Sequence, residues 1–102
     1  MAYNKLVRDK IPQIIKEKGE NPITRVLSDE EFLVELYKKL QEEVQEFGED
    51  QSMEELADIL EVIHGILFAK KKTFIALDEL RKEKVEKRGG FSNKIFLERV
   101  EK

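Results

Sequence analysis

The stretch EEVQEFGEDQSMEELAD, residues 42–58, decides the fold. Glu43 and Glu46 form one carboxylate pair in it and Glu55 and Asp58 another, each with a three-residue step that puts both side chains on one face of a helix. Between them lies a short break, Gly48 to Ser52. A chain that reverses there makes an antiparallel helical hairpin, whose facing residues keep a constant index sum. Glu43 then faces Asp58, and Glu46 faces Glu55. Four converging acids repel one another unless a cation sits among them. Oxygen-only donors suit Mg²⁺, with Mn²⁺ as a substitute, and carboxylates on facing helices of a bundle hold such ions.

Working outward, Ser28 followed by Glu31 is a capping box that opens a helix to about Phe47, with Gly48 ending it. Its apolar residues Leu33, Leu36, Leu40 and Phe47 step by three and four, and Glu43 takes the missing place in that seam. Ser52 followed by Glu55 is a second capping box, opening a helix to about Ala69, before the Lys70-Lys71-Lys72 run. A full box would commit the Glu55 carboxylate to the Ser52 N–H, in competition with the cluster. Met53, Leu56, Ala57, Ile59, Leu60, Val62, Ile63, Ile66, Leu67 and Phe68 leave this helix almost no polar face, so burial on most sides is expected. Three other short helices hardly cover it. The expectation is a homodimer or homotetramer with this helix at or near the interface.

Toward the N-terminus, Asp9 is the expected cap of a helix to about Lys18, with Pro12 in its first turn and Gly19 as the stop. Thr73 caps a last helix to about Arg88, with Phe74, Leu77, Leu80 and Val85 inward and Gly89 just past its end. Residues 23–27 and 94–98 read as short extended segments that would pair with each other or dock on a neighbouring copy. The fold expected is all-α: a single domain over 1–102, a small bundle of about four helices around the central hairpin, completed by oligomerisation.

Composition narrows the function classes. Cysteine is absent, no apolar run approaches a membrane span, and Met1 to Lys10 lacks the apolar core of a secretory signal, so a cytoplasmic protein without a membrane partner is expected. The net charge of −3 comes from interspersed acids and bases, which provides no broad basic field for a nucleic-acid polymer. An anionic ligand must be met locally or through a metal.

With 22 acids in the chain, a Glu-x-x-Glu spacing alone means little. Glu79, Glu83 and Glu86 alternate with Lys82 and Lys84 and read as a solvated face. Position sets the other acids apart: Glu43 interrupts an apolar seam and Asp58 an almost wholly apolar helix, and a buried charge requires compensation. Glu42 flanks the cluster, and Glu61, one turn beyond Asp58, is a candidate to support its ligands from outside or to hold a second ion. His64, a turn further, reads as a hydrogen-bonded packing residue.

The order Glu42-Glu43-x-x-Glu46, a short break, then Glu55-x-x-Asp58 in a small helical chain resembles the MazG-like nucleoside triphosphate pyrophosphohydrolases. That superfamily also holds phosphoribosyl-ATP pyrophosphohydrolase and the dimeric dUTPases. The opening Tyr3-Asn4-Lys5-Leu6-Val7-Arg8-Asp9-Lys10-Ile11-Pro12 and the late Arg88-Gly89-Gly90-Phe91 look like its phosphoribosyl-ATP pyrophosphohydrolase-like subgroup. The resemblance implies Mg²⁺-dependent hydrolysis of a nucleoside triphosphate to the monophosphate and pyrophosphate. It also implies Glu43, Glu46, Glu55 and Asp58 as metal ligands and Glu46 or Glu43 as general base. Among the basic residues Lys5, Arg8, Lys10, Arg25, Lys39, Arg88 and Lys94, it ranks Arg8 and Arg88 first for phosphate. Only Phe47 to Glu54 separate the two acidic motifs, which leaves little room for a base-reading insertion. Two alternatives remain at this level: a non-catalytic helical oligomer that binds nucleotide or protein, and a phosphoribosyl-ATP pyrophosphohydrolase.

Overall fold

The computed structural model describes residues 3–102, and all regular structure among them is helical. The elements are α1 (Ile11–Glu17), α2 (Asp29–Asp50), α3 (Met53–Ala69) and α4 (Phe74–Arg88). The chain divides into two compact units, Met1–Lys71 with α1 to α3 and Lys72–Lys102 with α4 and the tail.

In the first unit α2 and α3 pack together as the expected hairpin. The Ser28 capping box is complete: the Glu31 N–H donates to Ser28 Oγ at 3.2 Å, and the Ser28 N–H donates to Glu31 Oε1 at 3.2 Å. Arg25 adds two bonds to the same carboxylate, at 3.3 and 3.0 Å. These bonds, with Arg25 the larger influence and the Ser28 backbone next, hold the Glu31 pKa down to about 2. Arg25 therefore braces a helix start.

The expected stop at Gly48 is wrong. α2 continues to Asp50, and Gln51 takes the left-handed position at φ 54°, ψ 31°, its N–H donating to the Phe47 carbonyl at 2.8 Å. One glycine costs a helix interior only about 1 kcal/mol, too little to end a helix whose inner face is still packed at Phe47. The reversal is thereby confined to Gln51 and Ser52.

Leu36 (4% exposed) and Val62 (8%) are the buried apolar residues among those described. Their helices approach closely at Gly65, where a Cβ would lie 2.8 Å from Leu36 Cδ2. Burial of α3 on most sides is not reached within the first unit: α2 covers one face, while Leu56 and Leu60 stay exposed and Met53 and Phe68 are each 79% exposed.

Asp9 does not cap α1. The N-cap is Lys10, without a side-chain bond, and the Ile11 N–H is taken by the Arg8 carbonyl at 3.1 Å, a backbone turn that removes the need for a carboxylate there. The other end follows expectation. Gly19, at φ 84°, donates to Lys16 O at 2.9 Å and Glu20 to Ile15 O at 3.2 Å, the two bonds of a Schellman motif. Residues 23–27 and 94–98 form no strand; both are irregular, and Ile23, Val26 and Ile95 to Leu97 are exposed.

In the second unit Thr73 caps α4 as expected, its Oγ1 accepting the Ala76 N–H at 3.1 Å, and the helix ends at Gly89 with φ 83°. The inward placement of Phe74, Leu77, Leu80 and Val85 is not met. All four are exposed, because one helix and a tail without regular structure cannot enclose an apolar stripe.

Candidate metal centre

Helical spacing gives the hairpin two unlike flanks. Glu35, Lys39, Glu42 and Glu46 run along one side of α2, and Leu33, Tyr37, Leu40 and Val44 along the other. Across the groove, Asp58 and Glu61 of α3 lie on the charged side, with Leu56 and Ile63 on the apolar side. Glu43 sits at the seam between the helices and is only 6% exposed, the buried charged residue among those described.

Glu43, Glu55 and Asp58 converge: each presents a carboxylate oxygen, and the three oxygens lie within 4.8 Å of one another. Glu46 does not belong to this set, so the expected four-carboxylate convergence becomes three acids with the fourth beside them. Its charge is still felt, ranking just after burial in raising the Glu43 pKa. Asp58 pushes in the same direction, while a hydrogen bond with Glu55 and the nearby Lys39 act against it. Glu55 is raised to about 7, first by burial and then by its hydrogen bond with Glu43 and the charges of Glu46, Glu43 and Asp58. Three acids in so small a space thus retain a proton near neutrality.

The competition at Glu55 is resolved by a half-formed cap. The Glu55 N–H donates to Ser52 Oγ at 3.2 Å, but the carboxylate turns into the cluster instead of back to the Ser52 N–H. Glu55 Oε2 and Glu43 Oε2 are both buried without a hydrogen-bond partner. Buried acceptors left open in this way are uncommon and costly, and the three acids around them could hold a metal ion. The donor set, three carboxylates and nothing softer, fits Mg²⁺ or Mn²⁺.

Basic residues meet the cluster from two directions. Lys39 Nζ lies 3.8 Å from Glu43 Oε1 and 3.7 Å from Glu42 Oε1, one turn along α2. From the N-terminal segment, Arg8 Nη2 donates to Asp58 Oδ1 at 2.6 Å and Lys5 Nζ lies 3.9 Å from Glu42 Oε1. Arg8, Lys5 and Lys39, all among the basic residues expected to border a triphosphate, thus pair with acids of the site. The Lys39 pairs were legible as steps of three and four; nothing in the sequence announced Arg8 on Asp58, fifty residues away. Glu61 and His64 are exposed on α3, outside the triad, and Glu42 is half-buried at its edge. In the second unit, Arg88 and Lys94 both line a small groove of about 170 Å³ shaped by the turn from Phe91 to Lys94.

No family model matches the chain, and no solved structure does. A curated protein of Mycolicibacterium smegmatis, described as an uncharacterized protein, is 51% identical over 41 residues. That segment is 40% of this chain and 42% of the relative's length, so the chain spans less than half of the protein it matches. The functional reading therefore rests on the residues of the hairpin.

Proposed function

We propose that this chain is a divalent-cation-dependent nucleoside triphosphate pyrophosphohydrolase of the MazG-like type. The observation that carries the reading is Glu43, 6% exposed, with one carboxylate oxygen unpartnered and Glu55 and Asp58 close around it. A solvated acidic patch would leave those oxygens in water. Here the seam position of Glu43 and the half-cap at Ser52 hold them out of it.

Glu43, Glu55 and Asp58 would hold the ion. When bound, Mg²⁺ supplies charge neutralisation of a triphosphate and a more acidic water. Glu46, half-buried beside the triad and outside it, would be the base that accepts a proton from the attacking water, since it stays free of the three converging acids. Asp58 orients Arg8, and Lys39 limits the repulsion between Glu42 and Glu43. The exposed apolar residues of α3 support assembly into a homo-oligomer, in which a second copy removes Leu56, Leu60 and their neighbours from water.

The test is pyrophosphate release from a panel of canonical, deoxy and oxidised nucleoside triphosphates and phosphoribosyl-ATP, with Mg²⁺ or Mn²⁺. Turnover by the wild type that Glu46→Gln reduces at least a hundredfold supports the enzyme and its base. Silence across the panel from protein that still takes up Mn²⁺ rejects the hydrolase in favour of a cation-dependent binding module.

A further inference from the structure

We propose that the N-terminal segment is a tethered counter-cation for the centre: Arg8 holds Asp58 until a divalent ion displaces it, and so sets the ion concentration at which the site fills. This rests on the metal reading of the triad. Within the triad the three acids are not equivalent. Glu43 has Lys39 from its own helix at 3.8 Å, and Glu55 has Glu43. Asp58 has a short charge-assisted bond to a guanidinium supplied by a distant part of the chain.

The geometry suits exchange rather than permanent locking. The Arg8 side chain is 58% exposed and that of Asp58 38%, and a partly exposed pair held by one bond is weak. The displaced group would not drift far. The Arg8 carbonyl is fixed by the Ile11 N–H in the turn that opens α1, and Lys5 lies against Glu42 on the same charged flank. A latch anchored at its base and exposed at its tip competes at high local concentration. Lys39, within one helix and 21% exposed, lacks that freedom.

The experiment is Mn²⁺ affinity, read from the free-ion electron paramagnetic resonance signal at fixed ionic strength, for wild type, Arg8→Gln, Arg8→Lys and Lys5→Gln. Removing the competitor should tighten Mn²⁺ binding about three- to tenfold in Arg8→Gln. Arg8→Lys should fall between Arg8→Gln and wild type, and Lys5→Gln, which removes the same charge away from Asp58, should change affinity less than about twofold. The wild type supplies a readout independent of any variant: the guanidinium nitrogen resonances of Arg8, which donates to Asp58 Oδ1, should move toward those of an unpaired arginine on titration with Mg²⁺. Equal or weaker Mn²⁺ binding in Arg8→Gln, equal shifts in Arg8→Gln and Lys5→Gln, or an Arg8 guanidinium signal that Mg²⁺ leaves unmoved would each overturn the latch and leave the metal site standing. No Mn²⁺ uptake by any of the four proteins would overturn both.

Discussion

Replacing Glu43 by Gln should make the protein more stable without metal and less stable with it. In the folded chain the Glu43 carboxylate is 6% exposed, has one oxygen unpartnered and feels the charges of Glu46 and Asp58. A buried acceptor left open costs about 1–3 kcal/mol. Lys39, at 3.8 Å, offsets part of that, which puts the gain on neutralisation near the low end, about 1 kcal/mol. The amide also brings a donor within reach of the Glu55 carboxylate. For a domain of this size, about 1 kcal/mol moves Tm by roughly 4–8 °C. Mg²⁺ acts the other way: at a hundred times Kd it stabilises the wild type by about 2.7 kcal/mol, and a variant that has lost a charged ligand loses most of that. Thermal unfolding at pH 8 and one protein concentration, with and without Mg²⁺, should therefore show the two proteins exchanging rank. A variant that melts below wild type in both conditions by the same amount would refute the reasoning, because Glu43 would then be a structural acid satisfied by its neighbours.

The pH dependence follows from the same groups. Glu43 and Glu55 both have raised folded-state pKa values, so the stability they contribute is present in acid and is lost as pH rises, for Glu55 through about 7, whereas Glu31, held down to about 2, contributes above pH 4.5 and loses its effect as pH falls. Metal-free Tm should accordingly be higher near pH 5.5 than at pH 8, and saturating Mg²⁺ should abolish or invert that difference; calorimetry across the range checks it. At Gly65 an added Cβ meets Leu36 Cδ2 at 2.8 Å, so Gly65→Ala should cost about 0–2 kcal/mol, an overpacking cost of about 1–3 less the roughly 1 kcal/mol that alanine returns to the helix. Combining it with Leu36→Ala in a denaturant-melt cycle should give a smaller loss than the sum of the two. Leu60→Glu, on the exposed face of α3, should shift sedimentation toward monomer while leaving helix content by circular dichroism within about a tenth of wild type.

The helices were legible because their signals are local. Ser28 with Glu31, Ser52 and Thr73 each accept the N–H three residues on, and Gly19 ends α1 in the left-handed region. The hairpin was legible because two three-residue steps in opposite directions bring Glu43 against Asp58. What failed turned on a balance of energies or on tertiary contact. Gly48 carries a stop signal, but the packing of Phe47 outweighs it; Asp9 resembles a cap, but the Arg8 carbonyl takes that role. Glu46 shares its spacing with the converging acids, yet that spacing fixes a face and not the few ångströms that separate a member of the cluster from its neighbour. The partner of Arg8 depends on where a non-helical segment passes over the hairpin, and no periodicity encodes such a path.

The same hairpin has to meet two opposed demands. Its charged flank concentrates acids whose mutual repulsion and burial oppose folding, as the raised pKa values of Glu43 and Glu55 register. Its seam buries little in return, with Leu36 and Val62 the buried apolar residues described. On the proposed reading such a balance is sustained by contributions from outside the hairpin: a cation or Arg8 on one flank, and a partner surface for Leu56, Leu60 and Met53 on the far face of α3. The two contributions are coupled. An ion that quiets the carboxylates stabilises the hairpin that presents the apolar face, and an assembly that buries that face holds the carboxylates in place. Mn²⁺ should consequently lower the concentration at which the chain associates, and Leu60→Glu should weaken Mn²⁺ binding from the far side of α3. A Leu60→Glu monomer that binds Mn²⁺ as tightly as wild type would show that the hairpin is rigid without a partner and that the two faces are independent.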